Sequence, residues 1–421
     1  MSHARPWYVA PRRVADLTLQ VASRAGILAH ASSDAPTEML AEAVAALAGE
    51  GKPSLHLASG NGVVAAVAAA RGFDVTAIDR YAPHAEATAR TLEANAVPDA
   101  RRRVRHAVLP ANEPDPIRDR SQFLVTIRIP TDRIGVQQAI EEAFRVLRQG
   151  GTCLMAGAND EGARTAAKHL EAFFGNATLE AQHSGCRLLR ATRTSAQPAG
   201  TFGHAWTDPL RANELVIPIA GVPTAVYTRP GVFSWEHLDD ATAILLDILQ
   251  VPTGASVLDL GCGAGILAIA AARQSETGRV LGVDADADAV RCARLTLREA
   301  GIDTVEIRPS DVDEAVGDER FDVIVMNPPF HLGKATEMTI PRAFIDAADA
   351  HLAPGGSLYL VANRQLPYER LVMERFGGVQ TLHDGRRFKV LGAARSAARS
   401  ASRGESRGSP ARGAPRESAP R

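Results

Sequence analysis

The sequence predicts an α/β chain of two tandem doubly wound domains, on three observations. The chain aligns with itself at an offset of about 200 residues, which marks an internal repeat. Each copy runs apolar strand, glycine turn, alanine-rich helix and second apolar strand ending in Asp, the rhythm of βαβ units. Short unbroken apolar runs such as Phe321-Asp322-Val323-Ile324-Val325-Met326 suit strands buried on both faces of a parallel sheet.

The repeat is visible residue by residue. Leu55-His56-Leu57-Ala58-Ser59-Gly60-Asn61-Gly62 lies over Leu258-Asp259-Leu260-Gly261-Cys262-Gly263-Ala264-Gly265. Asp79 follows Val75-Thr76-Ala77-Ile78 as Asp284 follows Val280-Leu281-Gly282-Val283, and Leu147 to Gly151 matches Leu352 to Gly356. The expected domains are 1–195 and 196–394, joined in the polar stretch Ala191 to Gly203, with a strand-like lead-in from Glu214 to Tyr227 opening the second. Residues 395–421 carry seven Arg against two Glu, with no hydrophobic periodicity, and are expected to be disordered. A solubilising tail and an RNA-tethering arm are both open readings of that segment.

Composition narrows the function classes. With 421 residues and 45% hydrophobic content, ordinary buried cores are available. A net charge of −1 shows no general basic surplus, so any phosphate-binding surface must be local. The four cysteines, Cys153, Cys186, Cys262 and Cys292, lack metal-ligand spacing; reduced thiols and no metal site are expected. No secretory h-region follows the basic start, and no stretch reaches the ~18 apolar residues of a membrane span. The expectation is a soluble cytoplasmic protein without membrane partners, monomeric through pairing of its own two domains.

The glycine turn of the second copy points to a cofactor. A nicotinamide site would show G-x-G-x-x-G, but Ile266 stands where the last glycine belongs. The pattern is G-x-G-x-G with Asp259 two positions before Gly261. S-adenosylmethionine has a sulfonium and an ammonium and no pyrophosphate, so a carboxylate beside the loop of Gly261 and Gly263 is chemically suitable. Asp284, at the end of the second strand, is placed to accept from ribose hydroxyls, and Asp311, after the third, to accept from the adenine amino group. Phe233 has two readings, covering the methionine end and packing.

After the fourth strand comes Asn327-Pro328-Pro329-Phe330. A residue before proline is driven to extended backbone, so the Asn327 side-chain oxygen and the Pro328 carbonyl are rigidly held acceptors. An exocyclic amino group is planar and a poor nucleophile. Accepting hydrogen bonds from both its protons favours a pyramidal nitrogen with its lone pair aimed at a methyl donor, with neither metal nor strong base required. Phe330 is expected to stack on the base, worth about 1–3 kcal/mol. His331 is open between touching substrate and packing. Aligning Phe123 through Pro130 with Phe321 through Pro328 puts Ile129 opposite Asn327 and Asp132 opposite Phe330. With His56 for Asp259 and Ala58 for Gly261 as well, the first copy is expected to be catalytically dead.

These features resemble the bacterial ribosomal RNA guanine-N2 methyltransferases of the small-methyltransferase-domain type, in which a degenerate class I methyltransferase domain precedes an active one. The resemblance is closest at Arg229-Pro230-Gly231-Val232-Phe233-Ser234, Leu238-Asp239, the glycine loop, Asn327 to His331, Leu366-Pro367-Tyr368 and Gly385 to Val390. It implies Rossmann-like domains, S-adenosylmethionine as cofactor and N2-methylguanosine as product. The ending segments look more like the 16S than the 23S RNA branch, so the small subunit or its RNA is the implied partner. It assigns Asn327, Pro328 and Phe330 to the base, and Asp259, Gly261, Gly263, Asp284 and Asp311 to the cofactor. The first domain is then a docking or structural unit. On the same Asn-Pro-Pro chemistry, a protein-glutamine N5-methyltransferase and a DNA adenine-N6 methyltransferase are alternatives, and a non-catalytic RNA-binding scaffold is one from another class.

Overall fold

The computed structural model describes residues 5–27, 34–109, 116–203, 206, 211–329 and 338–395; the Arg-rich segment from 396 onward lies outside them. The first copy comprises β1 (Tyr8–Val14), β2 (Leu17–Ser23), α1 (Ala35–Ala45), β3 (Pro53–Leu57), α2 (Val63–Ala70), β4 (Asp74–Asp79), α3 (Ala82–Ala94), β5 (Arg102–His106), β6 (Gln122–Arg128), α4 (Arg133–Val146), β7 (Leu147–Ala158), α5 (Ala163–Phe174), β8 (Thr178–His183) and β9 (Cys186–Thr192). The second comprises β10 (Asn213–Ile219), β11 (Val222–Thr228), α6 (Asp240–Ile248), β12 (Val257–Leu260), α7 (Ile266–Ser275), β13 (Val280–Asp284), α8 (Ala287–Glu299), β14 (Val305–Pro309), β15 (Phe321–Met326), α9 (Thr339–His351), β16 (Leu352–Asn363), α10 (Tyr368–Phe376), β17 (Gln380–Asp384) and β18 (Phe388–Ala394).

The two seven-stranded sheets have the same order, β5-β4-β3-β6-β7-β9-β8 and β14-β13-β12-β15-β16-β18-β17. The chain thus holds two tandem doubly wound, Rossmann-like domains. The lead-in expected over 214–227 is the antiparallel hairpin β10–β11. A matching hairpin, β1–β2, precedes the first sheet; the largely exposed β1 offers little of the alternation that reveals a strand. In the second domain Leu245, Ile269, Val280 and Val323 pack on one face of the sheet and Leu258, Ile324, Phe344 and Tyr368 on the other. Burial of each such apolar side chain contributes about 1.5–3 kcal/mol. All four cysteines are buried, and no helix among the described residues is long and apolar enough to cross a membrane.

The register between the copies corrects the sequence alignment by one residue. His56 pairs with Thr126 as Asp259 pairs with Val325, and Gln122 pairs with Leu147 as Phe321 pairs with Leu352. Arg128, rather than Ile129, therefore occupies the position of Asn327, and Thr131, rather than Asp132, that of Phe330. Matching Phe123 to Phe321 by residue type is what misleads, because a one-residue slip turns every side chain to the other face. Gln122 and Phe321 are both buried, whereas Phe123 is half-buried beneath the Arg148 guanidinium, 3.3 Å from its ring centroid.

The domains meet through the loops that follow β4 and β13. Tyr81 and Asp286 form an antiparallel bridge. The Ala82 N–H donates to the Ala285 carbonyl at 2.8 Å, and the Ala287 N–H to the Arg80 carbonyl at 2.9 Å. Equivalent positions exchange equivalent bonds, so a local two-fold axis runs through this contact. Charge breaks the symmetry. Arg80 clamps both oxygens of Asp286, at 2.6 and 2.5 Å, with Asp288 at 3.7 Å. Fully buried Arg24 bonds to Asp311 and Glu314.

Removing one partner of a buried ion pair leaves an uncompensated charge and costs about 3–5 kcal/mol. Arg80→Met takes from Asp286, only 8% exposed, the guanidinium that grips both its oxygens, and leaves Asp288 to Arg229. Urea unfolding at pH 7 is expected to show a clear loss in midpoint; an unchanged midpoint contradicts the clamp.

Candidate active site

The order of the second sheet reverses between β12 and β15. The helix after β12, α7, packs with the cluster on one face of the sheet, and the helix after β15, α9, with the cluster on the other. That divergence opens a crevice at the carboxyl ends of the two strands, where ligands bind in doubly wound folds. Leu260 pairs with Met326, so the glycine loop and Asn327 leave the sheet side by side.

Gly261, Gly263 and Gly265 all take left-handed backbone, with φ of 78°, 54° and 86°. They serve different ends. A Cβ on Gly261 would lie 3.2 Å from the Phe344 ring and one on Gly265 3.3 Å from Ala293 Cβ, whereas one on Gly263 would meet nothing within 4 Å. The first and third glycines allow close packing; the second faces open space. The Gly263 N–H donates to Asp284 Oδ2 at 2.9 Å, and the Asp286 N–H to Asp284 Oδ1 at 2.9 Å. Burial, then the neighbouring Asp286 carboxylate, pushes the Asp284 carboxyl up to about 6.

Asp259 is wholly buried, and neither carboxylate oxygen has a hydrogen-bond partner at normal distance. Burial, then Asp284, pushes it up to about 8, and the Ala268 N–H in the first turn of α7 pulls the other way. A buried, partnerless carboxyl beside a glycine cradle with open space fits a cofactor that carries positive charge and bulk. S-adenosylmethionine meets both requirements, with Asp259, Gly261, Gly263 and Asp284 as the residues to hold it. Asp311 is more heavily engaged than its sequence position suggests: Arg5 bonds to Oδ1 and Arg24 to Oδ2. Among the described residues no group of three or more His, Cys, Asp or Glu is placed to hold a metal.

On the other side of the crevice, Asn327 Nδ2 donates to Thr242 Oγ1 at 3.0 Å and to Asp239 Oδ2 at 3.2 Å. Asp239 is the N-cap of α6, accepting the Thr242 N–H at 2.9 Å. No donor among the described residues is placed on Asn327 Oδ1 or the Pro328 carbonyl. Phe330 and His331 lie outside the described residues. Phe233 is 60% exposed, which removes the core-packing reading. Sequence reasoning did not single out Asp239 and Thr242 for a role; the available signal was the capping pattern of an Asp followed three residues later by its Thr before an apolar helix.

The first copy keeps the loop's backbone and loses its chemistry. Ala58, Gly60 and Gly62 hold φ of 53°, 58° and 79°, although left-handed backbone costs a residue such as Ala58 about 1–2 kcal/mol. The Gly60 N–H still donates to Asp79, at 3.0 Å. In place of Asp259, however, stands His56, which burial lowers to about 3 and so keeps neutral, bonded to Ser54 and Thr126 at 3.0 and 2.8 Å. In place of Asn327, Arg128 grips Asp34 at 2.7 and 3.0 Å and Glu161 at 3.0 Å. A guanidinium only donates, so this position offers an amino group no acceptor.

The raised Asp259 carboxyl gives a prediction about stability. The folded protein holds a proton between pH 4 and 8 that the unfolded chain has released, so this group's contribution is fully present below about pH 4 and is lost as pH rises through about 8. Asp259→Asn is therefore expected to raise the urea midpoint above wild type at pH 8 and to leave it nearly equal at pH 4. Parallel midpoint curves for the two proteins contradict the assignment.

Comparison with known proteins agrees with this geometry. The methyltransferase small domain family matches residues 18–190 and again 223–392. Ribosomal RNA small subunit methyltransferase C of Pseudomonas aeruginosa (strain LESB58) is 37% identical over 248 residues, 59% of this chain and 72% of that protein. Its namesake in Yersinia enterocolitica is 33% identical over 264 residues, 63% of this chain and 72% of that one. The solved structure of the T. thermophilus 16S rRNA N2 methyltransferase RsmC, in complex with AdoMet and guanosine, superposes with a TM-score of 0.75 at 28% identity, covering 92% of this chain and 98% of that one. With both of its sheets matched by one family and 92% of its length by one solved fold, the chain belongs to the methyltransferase small domain family.

Proposed function

We propose that this protein uses S-adenosylmethionine to methylate the exocyclic N2 of a guanine in ribosomal RNA, the 16S RNA of the small subunit. The observation that carries this reading is the Asn327 amide, whose nitrogen is turned to the cap of α6 and whose oxygen, like the carbonyl of the next residue, Pro328, takes no donor among the described residues. Two adjacent rigid acceptors suit an NH2 group. The small-subunit relatives and the RsmC complex with AdoMet and guanosine support guanine and 16S RNA over a protein glutamine or a DNA adenine.

S-adenosylmethionine, when bound, supplies an electrophilic methyl group on a sulfonium. Asp259 and Asp284 offer carboxylate oxygens to its cationic and hydroxyl groups, and Gly263 leaves the space it needs. Asp311 keeps its place as an adenine contact through lone pairs that Arg5 and Arg24 leave. Asn327 Oδ1 and the Pro328 carbonyl accept the two N2 protons, and these bonds strengthen as the nitrogen pyramidalises. Phe330 is assigned to stacking on the guanine. The first domain serves as RNA docking or structural partner, and the chain acts as a cytoplasmic monomer on the subunit or its RNA.

Asn327→Ala is expected to lower the single-turnover methylation rate by at least ~10²–10³-fold, by analogy with loss of one preorganised group at a reacting centre. S-adenosylmethionine affinity, measured separately by calorimetry, should stay nearly intact. A near-normal rate removes Asn327 from the chemistry.

A further inference from the structure

We propose that Asp239, acting through Thr242, is a positioning residue that fixes which end of the Asn327 amide faces the target amino group. The inference rests on the reading of Asn327 as an acceptor and adds the group that makes it one. An amide has two nearly isosteric ends, and only the oxygen can accept from N2. Nothing in the Asn-Pro-Pro sequence chooses between them.

The hydrogen-bond directions on the α6 side make the choice. An ionised carboxylate accepts and never donates. Asp239 Oδ2 takes the Thr242 N–H at 2.9 Å and the Thr242 hydroxyl at 3.2 Å. With its proton committed to Asp239, the Thr242 hydroxyl has only lone pairs to offer Asn327. Both groups facing the amide are therefore acceptors, at 3.2 and 3.0 Å, and the donor end of the amide, Nδ2, is the one that meets them. Turning the amide over would set Oδ1 against a carboxylate and a hydroxyl oxygen with no hydrogen between them. The oxygen is driven outward.

The first copy holds the same device with a different occupant. Asp34 caps α1 and takes the Thr37 N–H at 3.1 Å and the Thr37 hydroxyl at 2.5 Å, and the side chain it selects at the end of β6 is the donor Arg128. In both copies the Asp of an Asp–Thr cap accepts from the residue at the end of the central strand. Where that residue is an amide, the selection leaves an outward acceptor; where it is a guanidinium, it leaves none.

Helix capping alone also explains an Asp at this position, so the test separates the two roles. Asp239→Ser keeps an N-cap of comparable strength but puts a hydroxyl that both donates and accepts where the carboxylate stood. We expect single-turnover methylation of 16S RNA to fall by about tenfold to a hundredfold, with melting temperature, S-adenosylmethionine affinity and KM for RNA unchanged. In the Asn327→Ala background the same substitution should cause no further loss. Thr242→Val, which leaves the capping N–H in place, should lower the rate in the same sense, and it carries the test if the serine variant folds poorly. Equal losses in both backgrounds, or no loss in the native one, would overturn the proposal while leaving Asn327 in its role. A normal rate for Asn327→Ala itself would overturn both.

Discussion

The site hangs on the pairing of β12 with β15, parallel neighbours whose chains depart to opposite faces of the sheet. Their register sets Leu260 beside Met326, so the residues that follow each strand emerge as one unit: a glycine cradle on one side, a restrained Asn-Pro-Pro on the other. The close packing of Gly261 on Phe344 and Gly265 on Ala293 holds this arrangement, because a side chain at either glycine would push a core residue away. Asp284 then fixes the cradle from the neighbouring strand by accepting the Gly263 N–H. A register slip between these two strands would dismantle both halves of the site together.

The site is built against the stability of its own domain. Asp259 is buried without a partner, and Asp284, Asp286 and Asp288 crowd one corner of the sheet. Basic groups offset that crowding. Arg80 reaches across from the first domain to clamp Asp286, Arg229 stands 3.4 Å from Asp288, and Arg24 grips Asp311. The first copy has lost its acceptors and its cofactor carboxylate, yet it supplies two of the cations, Arg80 and Arg24, that let the second keep an acidic cofactor corner. Buried carboxyls crowded at one place, and compensated from elsewhere in the chain, are what a functional site in a marginally stable fold entails.

Much of this was legible in the sequence because it is local. The glycine loop, Asp284 and Asn-Pro-Pro each announce themselves within a few residues, through backbone rules for Gly and Pro and through the strand-end position of an acid. The duplication made the βαβ rhythm readable twice. What escaped notice acts across the chain: Asp239 and Thr242 meet Asn327 from 88 and 85 residues away, Arg80 meets Asp286 across 206, and Arg24 meets Glu314 across 290. No spacing rule encodes such contacts. The one-residue slip at Phe123 has another cause, since residue type matched where burial did not, and only the strand register distinguishes the two faces.

Methylation of guanine N2 in small-subunit RNA by the second domain leaves a product that identifies the reaction by itself. Protein incubated with methyl-labelled S-adenosylmethionine would be offered small ribosomal subunits, 16S RNA, naked DNA and a release factor, and each would then be digested to nucleosides or amino acids and resolved by mass spectrometry. Label is expected in N2-methylguanosine from the ribosomal RNA, appearing at least ~10²-fold more slowly when Asn327 is Ala. Label in N6-methyladenine from DNA or in methylglutamine from the release factor, with the ribosomal RNA unlabelled, would contradict it.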